Sequence, residues 1–252
     1  MVLSSSILQE GKSTLAAFTL QPYIYGYRMR LFIYQYGLIQ KLLKTHVTRK
    51  LKRAQNEVNK LHNLTIESIR DHPILSKNHA SYLYALNRFL KPRIVVETGV
   101  GFGESAYFML QALQDNGFGE LYSIDYPRSI YPSDAGIRIN ESSYMSQDDL
   151  PGRLIPDHLR KQWTLLLGKS SEKLPSLCKD LGAIDLFFHD SEHTYHNMMR
   201  EYETVWPYLR EKGILASHDI DWNGAFKDFS QKHHCYIVNS RNRFGFIIQQ
   251  DS

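Results

Sequence analysis

Cysteine is scarce in this 252-residue chain, with Cys178 and Cys235 the only two. Their spacing makes neither a metal motif nor a disulfide framework. They fit a reducing compartment, so the expected location is the cytoplasm, with the thiols buried as small apolar groups. Long apolar runs are missing as well. No stretch approaches the roughly 20 residues needed to span a bilayer. Residues 1–20 lack the basic start of a secretory leader, and Glu10 and Lys12 interrupt their apolar character. Extremes of charge are absent too, at 22% charged residues and a formal net charge of +4. This composition argues against a disordered chain or a disulfide scaffold. A 42% hydrophobic content over this length can bury one sizeable core.

What charge there is lies unevenly. Residues 41–60 hold Lys41, Lys44, Arg49, Lys50, Lys52, Arg53 and Lys60 against the single acid Glu57, a local +6 that leaves −2 for the rest. Phe32, Tyr36, Ile39 and Leu43 recur at helical spacing, and Val47 and Leu51 prolong the stripe. A cluster of Tyr23, Tyr25 and Tyr27 mixed with Arg28 and Arg30 precedes it. The pattern predicts a helical, basic and aromatic-rich extension over residues 1–77. Such an extension can pack on its own domain or on a second subunit of a homo-oligomer. It can also touch an anionic membrane surface through residues 23–60. Nucleic acid fits least, because no reading module accompanies the charge.

From Asn78 onward the pattern becomes an alternation of strands and helices. Strands are expected at Ile94–Thr98, Leu121–Asp125, Trp163–Leu167, Ile184–Asp190 and Ile214–Ser217. Helices are expected at Glu104–Gln114, Ser170–Leu181, Tyr195–Arg210 and near Gly224–Lys232. This alternation predicts a doubly wound, mostly parallel α/β sheet. Tyr236–Val238 and Phe244–Gln249 are too close for a crossover helix, so they should close a seven-stranded sheet as an antiparallel hairpin. The expected domain spans residues 78–252. Residues 127–158, with Pro127, Pro132, Pro151 and Pro156, form a long connection of the kind that often covers a substrate.

Chemistry gathers at the strand ends. Glu97-Thr98-Gly99-Val100-Gly101-Phe102-Gly103 follows the first strand, where glycines permit a tight turn and close approach of the backbone to a ligand. A dinucleotide fingerprint starting at Gly99 would want glycine or alanine where Glu104 stands. Asp125 ends the second strand, where a carboxylate can accept ribose hydroxyls. Ser170 and Ser171 follow the third, as adenine contacts or as helix caps. The fourth ends in Phe188-His189-Asp190-Ser191-Glu192-His193, and the fifth in Ser217-His218-Asp219. Neighbouring strand ends would bring Asp190, His218 and Asp219 together as ligands for a divalent ion.

These segments carry a resemblance. Glu97–Gly103 resembles motif I of class I S-adenosylmethionine-dependent methyltransferases, and Gly168–Leu174 resembles the Gly-x-Ala/Ser-x-Glu-x-Leu segment of O-methyltransferases. The run Asp185–Tyr195, then Met198, Glu201, Trp206-Pro207, Leu209, Gly213 and Trp222–Phe226, is similar to methyltransferase family 24. The resemblance implies a Rossmann-like methyltransferase fold over residues 80–250, with S-adenosylmethionine as cofactor. It implies a cofactor site of Glu97 near the methionine end, Gly99, Gly101, Gly103, Asp125, Ser170, Ser171 and Asp190. In the more distant catechol-type enzymes an Asp-x-x-Lys places a metal-binding acid and a base on one loop, and Asp190-Ser191-Glu192-His193 has that spacing. By this comparison His193 is the general base and Asp190 its organiser, with or without a metal. Asp190, His218 and Asp219 are either the ligands of an Mg²⁺-like ion or a metal-free hydrogen-bonded cluster, since His218-Asp219 stands where those enzymes have Asp-Asn. The expected function is methyl transfer to an oxygen of a small-molecule or glycan-like acceptor. The alternatives are a nicotinamide oxidoreductase, disfavoured by Glu104 and the hairpin, and a non-catalytic adaptor, disfavoured by intact Glu97, Gly99, Gly101 and Asp125.

Overall fold

The computed structural model describes residues 77–127, 150–239 and 243–249. The predicted extension up to residue 76, with its 23–60 stripe, and residues 128–149 of the long connection lie outside them. The described chain opens with α1 (Lys77–Leu90), β1 (Ile94–Thr98), α2 (Glu104–Asn116) and β2 (Glu120–Asp125). It continues through α3 (Asp157–Arg160), β3 (Trp163–Leu167), α4 (Ser170–Leu181), β4 (Ile184–His189) and α5 (Tyr195–Val205). A 3-10 turn (Trp206–Tyr208), β5 (Leu209–Ser217), α6 (Ala225–Lys232), β6 (Val238–Asn239) and β7 (Gly245–Ile248) complete it.

The strands form one sheet in the order β3-β2-β1-β4-β5-β7-β6. β3, β2, β1, β4 and β5 pair in parallel, and β7 runs antiparallel to both β5 and β6. Six strands have four residues or more, and β6 is a two-residue strand at the edge. The doubly wound sheet and its terminal hairpin therefore match the sequence expectation. β1 reads Ile-Val-Val-Glu-Thr and is buried along most of its length, as a central strand covered by helices must be. Val96, Phe187 and Leu215 on adjacent strands pack under Met198, Tyr202, Phe226 and Phe229 of α5 and α6. Asp185 ties the strand starts together: its carboxylate accepts from the Arg93 and Ile94 amides at 2.8 and 2.9 Å and faces Arg210 Nε at 3.2 Å.

Several elements differ from expectation: α3 was not among those expected, and β6 is Val238–Asn239 where Tyr236–Val238 was expected. The helix predicted over Tyr195–Arg210 stops at Val205, because Pro207 tightens the next turn to 3-10 form and Leu209 already pairs with Ile184. β5 accordingly begins at Leu209, ahead of the expected Ile214. Helix α1 has no counterpart among the expected elements. It packs on α2, with Tyr84 Oη donating to Asp115 at 2.6 Å and Arg88 Nη1 to Asn116 at 2.7 Å. Chain order reverses between β1's two neighbours, β2 and β4, so a crevice opens beyond their C-terminal ends. Among the described residues no helix is long and apolar enough to cross a membrane.

Candidate active site

On the β1–β2 side the glycine loop is fixed from below and from the side. Gly99 has φ +82°, and a Cβ there would lie 2.1 Å from the backbone oxygen of Asp190. Only glycine lets the β1 turn lie against the end of β4 so closely. Gly101, at φ +51°, meets none of the described residues within 4 Å of an added Cβ, so among them the loop keeps an open face there. Gly103 is the N-cap of α2. Asp125 Oδ2 accepts from the Val100 and Gly101 amides at 2.7 and 2.8 Å, which ties the β2 acid to the loop itself. Burial pushes the Asp125 carboxyl up, opposed by those amides. Glu97 is fully buried beneath the loop, where its carboxylate accepts from Ser105 and from Ser123, the latter at 2.7 Å. Burial, with nearby Asp190 and Asp125, pushes it up to about 8 against the pull of the two serines. Ser170 and Ser171 open α4 at the same sheet edge. Lys169 holds the N-cap position without a side-chain cap bond, so neither serine has the capping role considered for it.

The returning end of the long connection lies on the same loop. The Gly152 amide donates to Gly101 O and the Leu154 amide to Phe102 O, each at 2.9 Å, while the Arg153 guanidinium stands 4.1 Å over the Phe102 ring.

The β4–β5 side gathers acids and imidazoles. His218 Nδ1 lies 3.0 Å from Asp190 Oδ1 and 3.5 Å from Asp219 Oδ2, and His193 Nε2 lies 3.7 Å from the same Asp190 oxygen. Burial would lower His218, but Asp190 and then Asp219 outweigh it and push it up to about 9. Reciprocally, burial would raise Asp190, and His218 instead holds it below the ordinary carboxylate range. The His193 side chain is only 6% exposed. Trp222, itself 53% exposed, stacks on its ring at 5.5 Å, and Asn223 Nδ2 donates to its backbone oxygen at 2.9 Å. Behind this loop Glu201 is buried, accepting from Thr98 Oγ1 at 2.6 Å and Ser191 Oγ at 2.7 Å, with His189 Nδ1 at 2.7 Å.

Residues 96–220 match the family model described as a methyltransferase domain, family 24. The domain belongs to the class I S-adenosylmethionine-dependent methyltransferases. A methyltransferase from Geobacter sulfurreducens is 18% identical, aligns over 78% of this chain and 89% of its own, and superposes with a TM-score of 0.54. The S-adenosylhomocysteine-bound methyltransferase PaMTH1 of Podospora anserina is 14% identical over 81% of this chain and 97% of its own, with a TM-score of 0.53. The O-methyltransferase TomG of Streptomyces achromogenes, involved in tomaymycin synthesis and bound to S-adenosylmethionine, is 16% identical over 80% and 89%, with a TM-score of 0.52. No curated protein matches the sequence.

The methyltransferase domain brings Asp190, His193 and His218 together, and of the two alternatives the set suits a hydrogen-bonded polar cluster better than an Mg²⁺-like ion. Among the described residues, the donor atoms within 4.8 Å of one another belong to Asp190, His193 and His218. Asp219, expected as the third ligand, has positive φ and directs Oδ1 toward Arg243 Nη1 at 3.6 Å. Two imidazoles and one carboxylate are a poor set for a cation that wants oxygen ligands in octahedral array. Sequence reading missed Glu201 as a site-supporting residue, the Trp222 stack and the 152–154 strap. Glu201 stood among the residues that carry the family resemblance, but beside Glu203 in the same helix nothing in the sequence marked it as buried under the site.

Proposed function

We propose that the protein transfers the methyl group of S-adenosylmethionine to a hydroxyl oxygen of a small-molecule or glycan-like acceptor. One observation carries the reading: Asp190 abuts the glycine loop through Gly99 and holds two imidazoles at the crevice. The cofactor would lie along the open face at Gly101, with its ribose toward Asp125 and its adenine toward Ser170 and Ser171. Glu97 supports that loop from beneath. The acceptor oxygen attacks the methyl carbon in line, the C–S bond breaks, and its electron pair stays on sulfur as neutral S-adenosylhomocysteine. The hydroxyl proton must then leave. His218 is already protonated at neutral pH and cannot take it, so we assign the base to His193. His218 keeps Asp190 ionised, and Asp190 orients His193. Alignment and a base are most of what a sulfonium leaving group requires.

The test is methyl transfer from labelled S-adenosylmethionine to a panel of phenolic hydroxyls, sugar hydroxyls and primary amines, read by mass spectrometry. Product carrying a methyl ether, lost in Asp190→Asn, supports the reading. Transfer confined to amines in the same panel refutes oxygen as the acceptor atom.

A further inference from the structure

Glu201 sits in the middle of α5, a turn and a half beyond the catalytic loop, and it is buried to 1% exposure. An isolated buried carboxylate would be costly, and this one is richly partnered. Oε2 takes the Thr98 hydroxyl at 2.6 Å and faces His189 Nδ1 at 2.7 Å; Oε1 takes the Ser191 hydroxyl at 2.7 Å and the Asn197 amide at 3.2 Å. Asn197 Nδ2 also reaches Ser191 Oγ at 3.1 Å and the Glu192 carbonyl at 2.9 Å.

The sequence positions of these partners matter more than their number. Thr98 is the last residue of β1, directly before Gly99. His189 is the last of β4, directly before Asp190, and Ser191 follows it. The backbone repeats the connection, since the Asp190 amide donates to Thr98 O at 2.8 Å, the Gly99 amide to Ile124 O at 2.9 Å and the His218 amide to His189 O at 2.9 Å. One carboxylate therefore grips both halves of the site from below.

We propose that Glu201 is a positioning residue that locks the glycine loop at the end of β1 to the loop carrying Asp190 and His193, holding the cofactor and acceptor halves in one register. Its anion is sustained in place: burial would raise the carboxyl, but His189 and the hydroxyls bring it down to about 2. His189 donates from Nδ1, because an ionised carboxylate can only accept. Errors in register of about 1 Å can cost on the order of 100-fold in rate, so such a lock has functional weight without touching the substrate.

The inference rests on the methyltransferase reading, and the experiment separates the two. S-adenosylhomocysteine is titrated calorimetrically into the full-length wild type and Glu201→Gln. Imidazole N–H resonances and amide exchange at Gly99 and Asp190 are followed by NMR. In the wild type the His189 N–H should appear at low field and move as S-adenosylhomocysteine saturates. Glu201→Gln should lose that signal, bind roughly 10- to 100-fold more weakly, and exchange Gly99 and Asp190 faster while α2 and β2 stay protected. A variant that binds and exchanges as wild type overturns the lock. If Glu201→Gln does not fold, Ser191→Ala removes one arm only, and an unchanged Asp190 exchange rate then overturns the inference. Wild-type protein that fails to bind S-adenosylhomocysteine sinks the methyltransferase reading instead, and leaves the exchange result to judge the lock.

Discussion

On the β1–β2 side of the crevice, Glu97 lies under the glycine loop with two serine hydroxyls for company. On the β4–β5 side, Glu201 lies under the β4 loop with an imidazole, the hydroxyls of Thr98, Ser170 and Ser191, and an amide. Both are excluded from solvent. Yet Glu97 is pushed up to about 8, with Asp190 and Asp125 adding to its burial, whereas Glu201 is brought down to about 2 by His189. Equal burial thus produces a neutral acid in one half and an anion in the other. The sign of the nearest titratable neighbour decides, and hydroxyls only modulate the result.

The largest effect should come from the acceptor half itself. His193→Ala removes the assigned base and should lower methyl transfer by about 10²–10⁴-fold with folding intact, measured as initial rates on an acceptor found in the panel. A near-normal rate would leave His193 a loop residue orienting Asp190. Next comes Glu201→Ala, which strands His189, Thr98 and Ser191 in the core. Breaking a buried pair in this way costs about 3–5 kcal/mol, read as a shift in the urea midpoint. Third is Asp125→Ala on the cofactor half. Losing bonds to a charged group should cost about 1.5–3 kcal/mol of S-adenosylhomocysteine affinity, and unchanged affinity would remove Asp125 from the ribose site.

The smallest effect sharpens the contrast most. Glutamine mimics a protonated acid, so Glu97→Gln should change stability least below pH 4.5, where the acid is protonated folded and unfolded. As pH rises from 4.5 to about 8 it should become progressively the more stable form. The sign follows from linkage. Glu97 is raised from 4.5 to about 8, so its folded state keeps a proton that the unfolded chain has lost, and stability falls as pH rises through that window. His218, raised from 6.5 to about 9, adds to the same alkaline loss. Glu201, lowered from 4.5 to about 2, contributes stability present above pH 4.5 and lost as pH falls toward 2. Denaturation midpoints across pH should therefore show Glu97→Gln flattening the alkaline limb and Glu201→Gln the acid limb. Two parallel curves would erase the distinction.

Period and punctuation made the sheet legible in sequence: β3 and α4 fall at their predicted bounds, and the short gap before Phe244 announced the hairpin. The glycine loop, Asp125, Asp190, His193 and His218 were readable because polar residues interrupt apolar strands at one sheet edge. What failed to show depends on contacts between distant segments. Glu201 meets Thr98 across more than 100 residues, and a solvent-facing helix would carry the same letter. Asp219 carries the right chemistry for a ligand, but its backbone conformation and Arg243 commit it elsewhere. Pro207 was visible, and its effect on the end of α5 was underestimated.

Gly101 is touched from two directions: its amide donates to Asp125, and its carbonyl accepts from Gly152. Asp125 and Gly152, on either side of the long connection, therefore meet at one residue. Lengthening such a connection costs only about 0.6 kcal/mol for each doubling, since its ends are already closed. Sequence between residues 128 and 149 can therefore be exchanged or lengthened while the junction at Gly101 stays in place.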